Sequence, residues 1–342
     1  MPITRSVEFY PTRTARPDLA ALFADAGEDL FASAEWFDLS LAHARPLGMA
    51  AGFAVVLRAG VPVLALPLWH GRGGARGLDS PFVSRFAPLA GANAEPADYV
   101  ALLGGLRRFP LIRLDALAEA DAALLADAAR RAGRVPIGFA HFGNWHEKLA
   151  GRDYAAWLAD RPGALRATIR RRSRAAAADP ALRIACLTQP AEMADGIAAY
   201  QSVYARSWKP AEPCAGFIPA LIARMAARGI LRLGLLWQGK LPIAAQIWIA
   251  SGGVAHVLKL AHDEAAAARS PGTVLSAAML RHLIDVDGVT EIDFGRGDDA
   301  YKQGWAGTRR QRMGLVLADP RQPRAWPMLV RHAAGRLLRA RA

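Results

Sequence analysis

The chain has 342 residues, 53% of them apolar and 21% charged, with a formal net charge of +13. That length suits two cores of about 150 residues better than one, and that composition builds packed cores rather than a disordered chain. The most apolar window, Leu241 to Leu258, is interrupted by Gln246, Ser251, Gly252, Gly253 and His256, so it reads as a hairpin and not a membrane span.

Met1 to Asp18 carries Arg5, Glu8, Arg13 and Arg16 and has no apolar stretch of the kind a secretory signal needs, so a cytoplasmic protein is expected. Cys186 and Cys214 stand far apart and form no metal-binding spacing, consistent with reduced thiols and no bound metal. The positive charge is concentrated in two acid-free stretches. One holds Arg161, Arg166, Arg170, Arg171, Arg172 and Arg174; the other holds Arg321, Arg324, Arg331, Arg336, Arg339 and Arg341. Each is either a solvated helix face or a site for an anionic partner such as coenzyme phosphates, lipid headgroups or RNA.

In the first half, residues 20–29, 34–43, 99–109 and 120–132 read as helices, and 52–57, 62–69, 111–114 and 135–139 as strands. The glycine-rich run Gly71 to Gly77 reads as a mobile loop. The seam between domains is expected near Gly143 to Gly151. Beyond it, residues 154–178 predict a helix or helix pair, 183–187 a strand and 191–207 a helix. Three apolar runs follow, 231–237, 241–250 and 254–261, separated by Gln238-Gly239-Lys240 and Ser251-Gly252-Gly253, the residues of tight hairpin turns. Ser270-Pro271-Gly272-Thr273 then opens an amphipathic helix, and the strand Glu291 to Phe294 exits into Gly295 to Trp305. Residues 60–65 resemble residues 239–245 at an offset of about half the chain, which predicts two related units in tandem.

Ser207-Trp208-Lys209 with Glu212, Lys259 to Asp263, the Ser-Pro-Gly helix start, and Asp293-Phe294-Gly295 through Asp298, Tyr301, Lys302 and Trp305 resemble the CelD/BcsL (BioF2-like) group of GNAT-type acyltransferases. The likeness extends to Phe31 to Trp36 and Leu64 to Trp69. It implies an α+β fold with mixed sheets, made of two tandem GNAT-like acyl-CoA N-acyltransferase domains distantly similar to the Fem aminoacyl transferases. The expected boundaries are 1–145, 146–320 for the catalytic domain, and 321–342 for a basic amphipathic tail.

Acyl transfer to an amine needs a place for the donor's phosphates, polarisation of the acyl carbonyl, and proton traffic between amine and leaving thiol. Ser270 as N-cap and Pro271 at the first helical position would leave free N–H groups around Gly272 and Thr273, where a pyrophosphate can approach. The same residues also make an ordinary capped helix start, and the loop has only one of the glycines usual in GNAT enzymes. The resemblance implies that a backbone N–H on the strand 254–261 holds the acyl carbonyl. His262, at that strand's exit, is the first candidate for a base and Tyr301 for the acid, with Asp298 beside it; Asp298 as a cap and Tyr301 with Trp305 as core are the structural alternatives. Lys302 is expected to bind a donor phosphate or to pair with Asp298. Trp208, Lys209, Lys259, Asp293 and Trp305 complete the candidate substrate-binding set.

The expected activity is transfer of an acyl group from acyl-CoA, or a related thioester, to an amine, with a long-chain sphingoid base as preferred acceptor and no permanently bound cofactor. Rivals are acyl transfer to an exopolysaccharide, Fem-like transfer from aminoacyl-tRNA with the 161–174 stretch on RNA, and a non-catalytic binding protein. Nucleic acid is the less favoured partner. In the tail, Trp326, Leu329, Val330, Ala333, Leu337 and Ala340 recur at helical spacing opposite the arginines. This is the pattern of a helix lying on an anionic membrane, here peripheral on the inner membrane, or of one packed on its own sheet.

Overall fold

The structure is a computed structural model that describes residues 4–340, with side chains through residue 335. Two compact units divide the chain: the first runs to Gly143 and resumes at Gln311, and the second is Asn144–Arg310. The first contains β1 (Arg5–Tyr10), α1 (Ala20–Asp25), α2 (Ala34–His43), β2 (Ala50–Arg58), β3 (Val61–Gly71), β4 (Gly74–Gly77), β5 (Leu89–Ala90), α3 (Pro96–Gly105), β6 (Leu111–Leu117), α4 (Glu119–Arg131) and the start of β7 (Val135–Lys148). The second contains α5 (Tyr154–Ala159), α6 (Gly163–Ala178), β8 (Leu182–Leu187), α7 (Met193–Ala205), α8 (Phe217–Ala227), β9 (Leu231–Gln238), β10 (Leu241–Ser251), β11 (Val254–His262), α9 (Pro271–Asp285), β12 (Glu291–Asp293) and α10 (Lys302–Trp305). β13 (Thr308–Ala318) leads back into the first unit, which ends in α11 (Trp326–Ala340).

The strand order repeats. In the first unit it is β1-β2-β3-β4-β6 and in the second β8-β9-β10-β11-β12; each run is antiparallel until its last pair, which is parallel. The repeat reaches single residues. Leu57 pairs with Pro62 and Val56 with Leu64, so Val63 is an extra residue in β3; Trp237 pairs with Pro242 and Leu236 with Ala244, so Ile243 is the extra residue in β10. Both bulges directly follow a proline that has no N–H to give the ladder. The expected α+β fold of two related units is therefore present.

The turns obey the expected chemistry. Ser251 pairs with Val254 across Gly252 and Gly253, whose φ of 58° and 72° only glycine adopts without strain. α9 lies close to its sheet because Gly234 has no side chain: a Cβ there would stand 2.6 Å from Met279 Sδ. Leu275, Leu280 and Leu283 of α9 are fully buried with Trp248 and Leu236, each burial contributing about 1.5–3 kcal/mol.

Several elements differ from the sequence reading. Gly74–Gly77 is not a mobile loop but a strand, antiparallel to β3 and parallel to β6; Gly74 sits at φ 135°, where a Cβ would meet Leu111 O at 2.4 Å. The helix Phe217–Ala227 and the strands Arg5–Tyr10 and Thr308–Ala318 went unread. Arg161, counted among the free cations, is buried and paired with Glu147 at 2.8 Å. Over its described side chains α11 is mostly open to solvent, with Trp326 55% and Val330 67% exposed, while Ala325 just before it is buried. The side chains of Arg336, Leu337, Arg339 and Ala340, and all of Arg341, lie outside the described residues. Among the described residues no helix is long and apolar enough to cross a membrane, and no group of three or more His, Cys, Asp or Glu side chains could hold a metal.

Candidate active site

β11 and β12 run parallel for only three pairs, Val254–Glu291, Ala255–Ile292 and His256–Asp293. Gly295 still packs on β11, since a Cβ there would meet Val257 O at 2.8 Å. Beyond Val257 no described strand pairs with β11 on that side. On the other side the register to β10 shifts from Trp248–Val257 to Ile247–Lys259, leaving Leu258 as a bulge. The last third of β11 thus presents an open backbone edge, and its exit carries Lys259 and His262.

α9 begins beside that exit. Ser270 adopts a left-handed backbone, φ 55° and ψ 49°, and its side chain makes no capping bond, so the expected side-chain N-cap is absent. The first N–H groups of the helix, which have no intrahelical acceptor, receive none from Ser270. Pro271 is buried at the first helical position, and Gly272 and Thr273 are partly exposed. A buried chain of bonds fixes this turn: Trp248 Nε1 donates to Gln246 Oε1 at 3.0 Å, and Gln246 Nε2 donates to Gly272 O at 3.1 Å and Ser276 Oγ at 2.8 Å. The equivalent helix of the first unit, α3, differs at its start. There Asp98 is fully buried, accepts from Glu95 N at 2.8 Å and pairs with Arg5 at 2.7 Å, so a carboxylate of the chain already occupies the positive end.

His262 is half-buried under Trp208, ring centroids 4.5 Å apart, and its Nδ1 lies 3.3 Å from where a Cβ on Gly272 would stand. Burial, with help from the charge of Lys209, holds its imidazole below the ordinary range, so it is neutral at pH 7 and able to accept a proton. Lys259 Nζ pairs with Glu212 Oε2 at 2.8 Å, and the other oxygen of Glu212 accepts from Tyr200 OH at 2.8 Å. Lys209 Nζ lies 5.7 Å from the Trp208 ring centroid and is lowered to about 8, first by burial and then by Lys259, against the attraction of Glu212 and Asp299. The ammonium therefore senses groups at the β11 exit and in the loop after β12.

That loop is built on buried charge. Asp293 is 2% exposed and accepts from Asn144 Nδ2, Gly295 N and Arg310 Nη2, each at 2.7 Å. Burial alone would raise its carboxyl, but His256, Arg310 and these bonds outweigh it and hold it ionised. Lys302 is 3% exposed; its ammonium donates to Arg296 O at 2.5 Å and Gly297 O at 3.3 Å and pairs with Asp299 at 3.2 Å, not with Asp298. Asp298 is exposed and held by Trp145 Nε1 and Arg309, both at 2.7 Å, which keep it a carboxylate. Tyr301 is half-exposed, with its hydroxyl pushed up by burial and by Asp299. Trp305 is core, stacked on Trp157 at 6.1 Å.

The expected residues thus separate. Trp208, Lys209, Lys259 and His262 gather at the exit of β11 with Gly272 and the α9 start. Asp293, Lys302 and Trp305 are instead buried supports, so the substrate contacts expected of Asp293 and Trp305, and the phosphate contact expected of Lys302, have no exposed group to make them. Among the described residues His262 and Tyr301 make no hydrogen bond or ring contact with each other. Sequence reasoning missed Tyr200, Tyr204 and Gln246. The tyrosines had a signal, four residues apart on one predicted helix, and Gln246 had only its place as a lone polar residue in an apolar strand; in the structure Lys259 Nζ lies 5.5 Å from the Tyr204 ring.

Residues 163–303 match the family model of the acetyltransferase (GNAT) domain. No curated protein sequence matches the chain. Among solved structures the fold is similar to FemX, at 11% identity over 91% of this chain and 96% of that one with a TM-score of 0.60. It is also similar to L-PGS from Bacillus licheniformis, at 11% identity over 94% and 96% with a TM-score of 0.57. A conserved protein of unknown function from Bacteroides thetaiotaomicron is similar at 13% identity over 91% and 99%, again with a TM-score of 0.57. With the open β11 edge and uncapped α9 start inside the matched segment, and the same strand order repeated before it, residues 163–303 are a GNAT acetyltransferase domain and the chain is an acyltransferase distantly similar in fold to FemX.

Proposed function

We propose that the chain transfers an acyl group from acyl-CoA, or a related thioester, to the amine of a long-chain acceptor such as a sphingoid base. The observation that carries this reading is the seating of neutral His262 against Gly272, where the open edge of β11 meets an uncapped helix start. The donor's phosphates lie on the first N–H groups of α9, and its carbonyl lies along Leu258 to His262. The amine nitrogen forms the new C–N bond and passes its proton to His262; the C–S bond breaks, and the departing thiolate takes a proton from Tyr301. Asp298, fixed by Trp145 and Arg309, shapes the loop that carries Tyr301. Trp208, Lys209 and Lys259 line the entry, and Lys302 holds the loop carbonyls so that Asp293, Trp305 and the donor keep their places.

The tail supports this choice of acceptor. Exposed Trp326 and Val330 beside Arg324 and Arg331 suit the surface of an anionic membrane, on the cytoplasmic side, where a lipid amine is presented. Calorimetric titration with palmitoyl-CoA, followed by mass detection of the N-acylated product with sphinganine, tests the reading. Binding of aminoacyl-tRNA with no affinity for acyl-CoA would replace it by the Fem-like alternative, and product formed only on a polysaccharide hydroxyl would replace the acceptor.

A further inference from the structure

Within the second unit a cavity of about 590 Å³ lies between α6, α9 and β8. It exists because alanines face each other across the helices: Ala176 and Ala177 of α6 meet Ala277 and Ala278 of α9 and leave unfilled space between them. The wall is aliphatic, with Ile169, Leu182 and Val274. Its charged lining groups are Arg170, Arg174 and Arg281, and no Asp or Glu lines it. Among the described residues Arg170 and Arg174 make no ion pair, and Arg281 lies over the Tyr154 ring at 4.9 Å. A smaller space of about 150 Å³ shares Ala176, Leu182 and Val274 and extends the groove to Pro271. From there to Arg281 the groove follows α9 for about 15 Å at 1.5 Å per residue.

An aliphatic wall with an unpaired cationic rim fits a ligand that is a hydrocarbon chain at one end and an anion at the other. A nucleotide fits less well, because the sole aromatic side chain of the lining, Tyr154, is already covered by Arg281 and base edges would find only Ser173 as a neutral polar side chain other than that phenol. We propose that the α6–α9 groove is a binding site for a single-chain anionic amphiphile, its carboxylate or phosphate on Arg170 and Arg174 and its chain along Ile169 and Val274. Its anion-binding end, at Arg170 and Arg174, lies outside the donor turn at Gly272, and the proposal does not rest on the acyl-transfer reading.

Calorimetric titration of the full chain with dodecanoate and with dodecyl phosphate, both below their micelle concentrations, tests it. Saturable binding of one molecule per chain is expected, the tighter of the two identifying the head group. Inorganic phosphate and uncharged dodecyl maltoside should bind at least 100-fold more weakly. Arg170→Gln with Arg174→Gln should weaken binding at least tenfold, and so should Ala177→Phe, which fills the groove from an exposed helix position. Gly272→Val should leave it unchanged. The proposal is overturned by absence of saturable binding, by equal binding of dodecyl maltoside or inorganic phosphate, by unchanged affinity in a folded Ala177→Phe protein, or by loss of binding in Gly272→Val, which would put the ligand at the donor site.

Discussion

His262 stands against the first turn of α9 beside Gly272, a residue with no side chain: a Cβ there would lie 3.3 Å from its Nδ1 and would press the ring aside by a few tenths of an ångström. That is tighter than an ordinary contact, and Trp208 at 4.5 Å restricts the ring on its other side. Gly272→Ala should therefore shift His262 and lower turnover severalfold with a small loss of donor affinity. Gly272→Val should abolish detectable acyl-CoA binding while the melting temperature falls by only a few degrees. Unchanged calorimetric affinity in folded Gly272→Val would remove this turn from the site.

Tyr301→Phe removes one hydroxyl from a half-exposed ring, so it should leave stability within about 0.5 kcal/mol and lower turnover by roughly 10² to 10⁴. His262→Gln should do the same and erase the acid limb of the parent's pH profile. Because burial holds the imidazole below its ordinary value, that limb should lie below about pH 6.5. Single-turnover rates that barely change in both proteins would reassign the proton transfer.

Lys209, held at about 8, has a substantial neutral amine fraction where other lysines are fully charged. Limited acylation at pH 8 should label it first, and peptide mapping reads this directly. The stability effect has a defined sign. Between about 8 and the ordinary lysine value near 10.5 the unfolded chain binds the proton and the folded one does not, so this group makes stability rise with pH across that window. Lys209→Met should flatten the rise; an identical slope would show that the amine is solvated.

Asp293, paired with Arg310, gives a slope of the same sign in a much more acidic window. The folded carboxyl lies below its ordinary value, so its contribution is fully present above about pH 4 and is lost as pH falls through the lowered value. Asp293→Asn keeps the shape but leaves Arg310 with less compensation, at a cost of about 3 kcal/mol at neutral pH that shrinks on acidification. Urea melts at pH 7 and pH 3 measure both.

Ending the chain after Ala325 removes α11 but keeps the buried Ala325 and the bond from Gln322 to the first unit's Arg107 carbonyl. The shortened protein should melt within a few degrees of the parent and lose binding to anionic vesicles, which in the parent should weaken with salt as screening tightens toward about 10 Å at 0.1 M. Co-sedimentation unchanged by the truncation would place membrane contact elsewhere.

The meander and α9 were legible because turn glycines and a 3.6-residue apolar period are local signals, as Gly252-Gly253 and Leu275-Met279-Leu283 illustrate. β4 was not, because Gly74 to Gly77 has no strand propensity and forms a strand only through its neighbours β3 and β6. α8 did carry a pattern, Phe217, Leu221 and Met225, but it is only about three turns long and directly follows the run 210–216, which contains Pro210, Pro213 and Gly216. At the site, residue types near the β11 exit were readable. Whether Asp293, Lys302 and Trp305 faced a cleft or a core depended on long-range partners such as Asn144, Arg310 and Trp157.

The unlike starts of α3 and α9 bear on stoichiometry. Two helices occupy equivalent places in two copies of one topology, yet Asp98 and Glu95, locked by Arg5, neutralise the positive end of the first, whereas the second is left bare behind a left-handed Ser270. A chain that repeats its architecture should accordingly take up one equivalent of acyl donor rather than two. In the first copy the carboxylate of Asp98 already holds the place where a donor anion would have to bind.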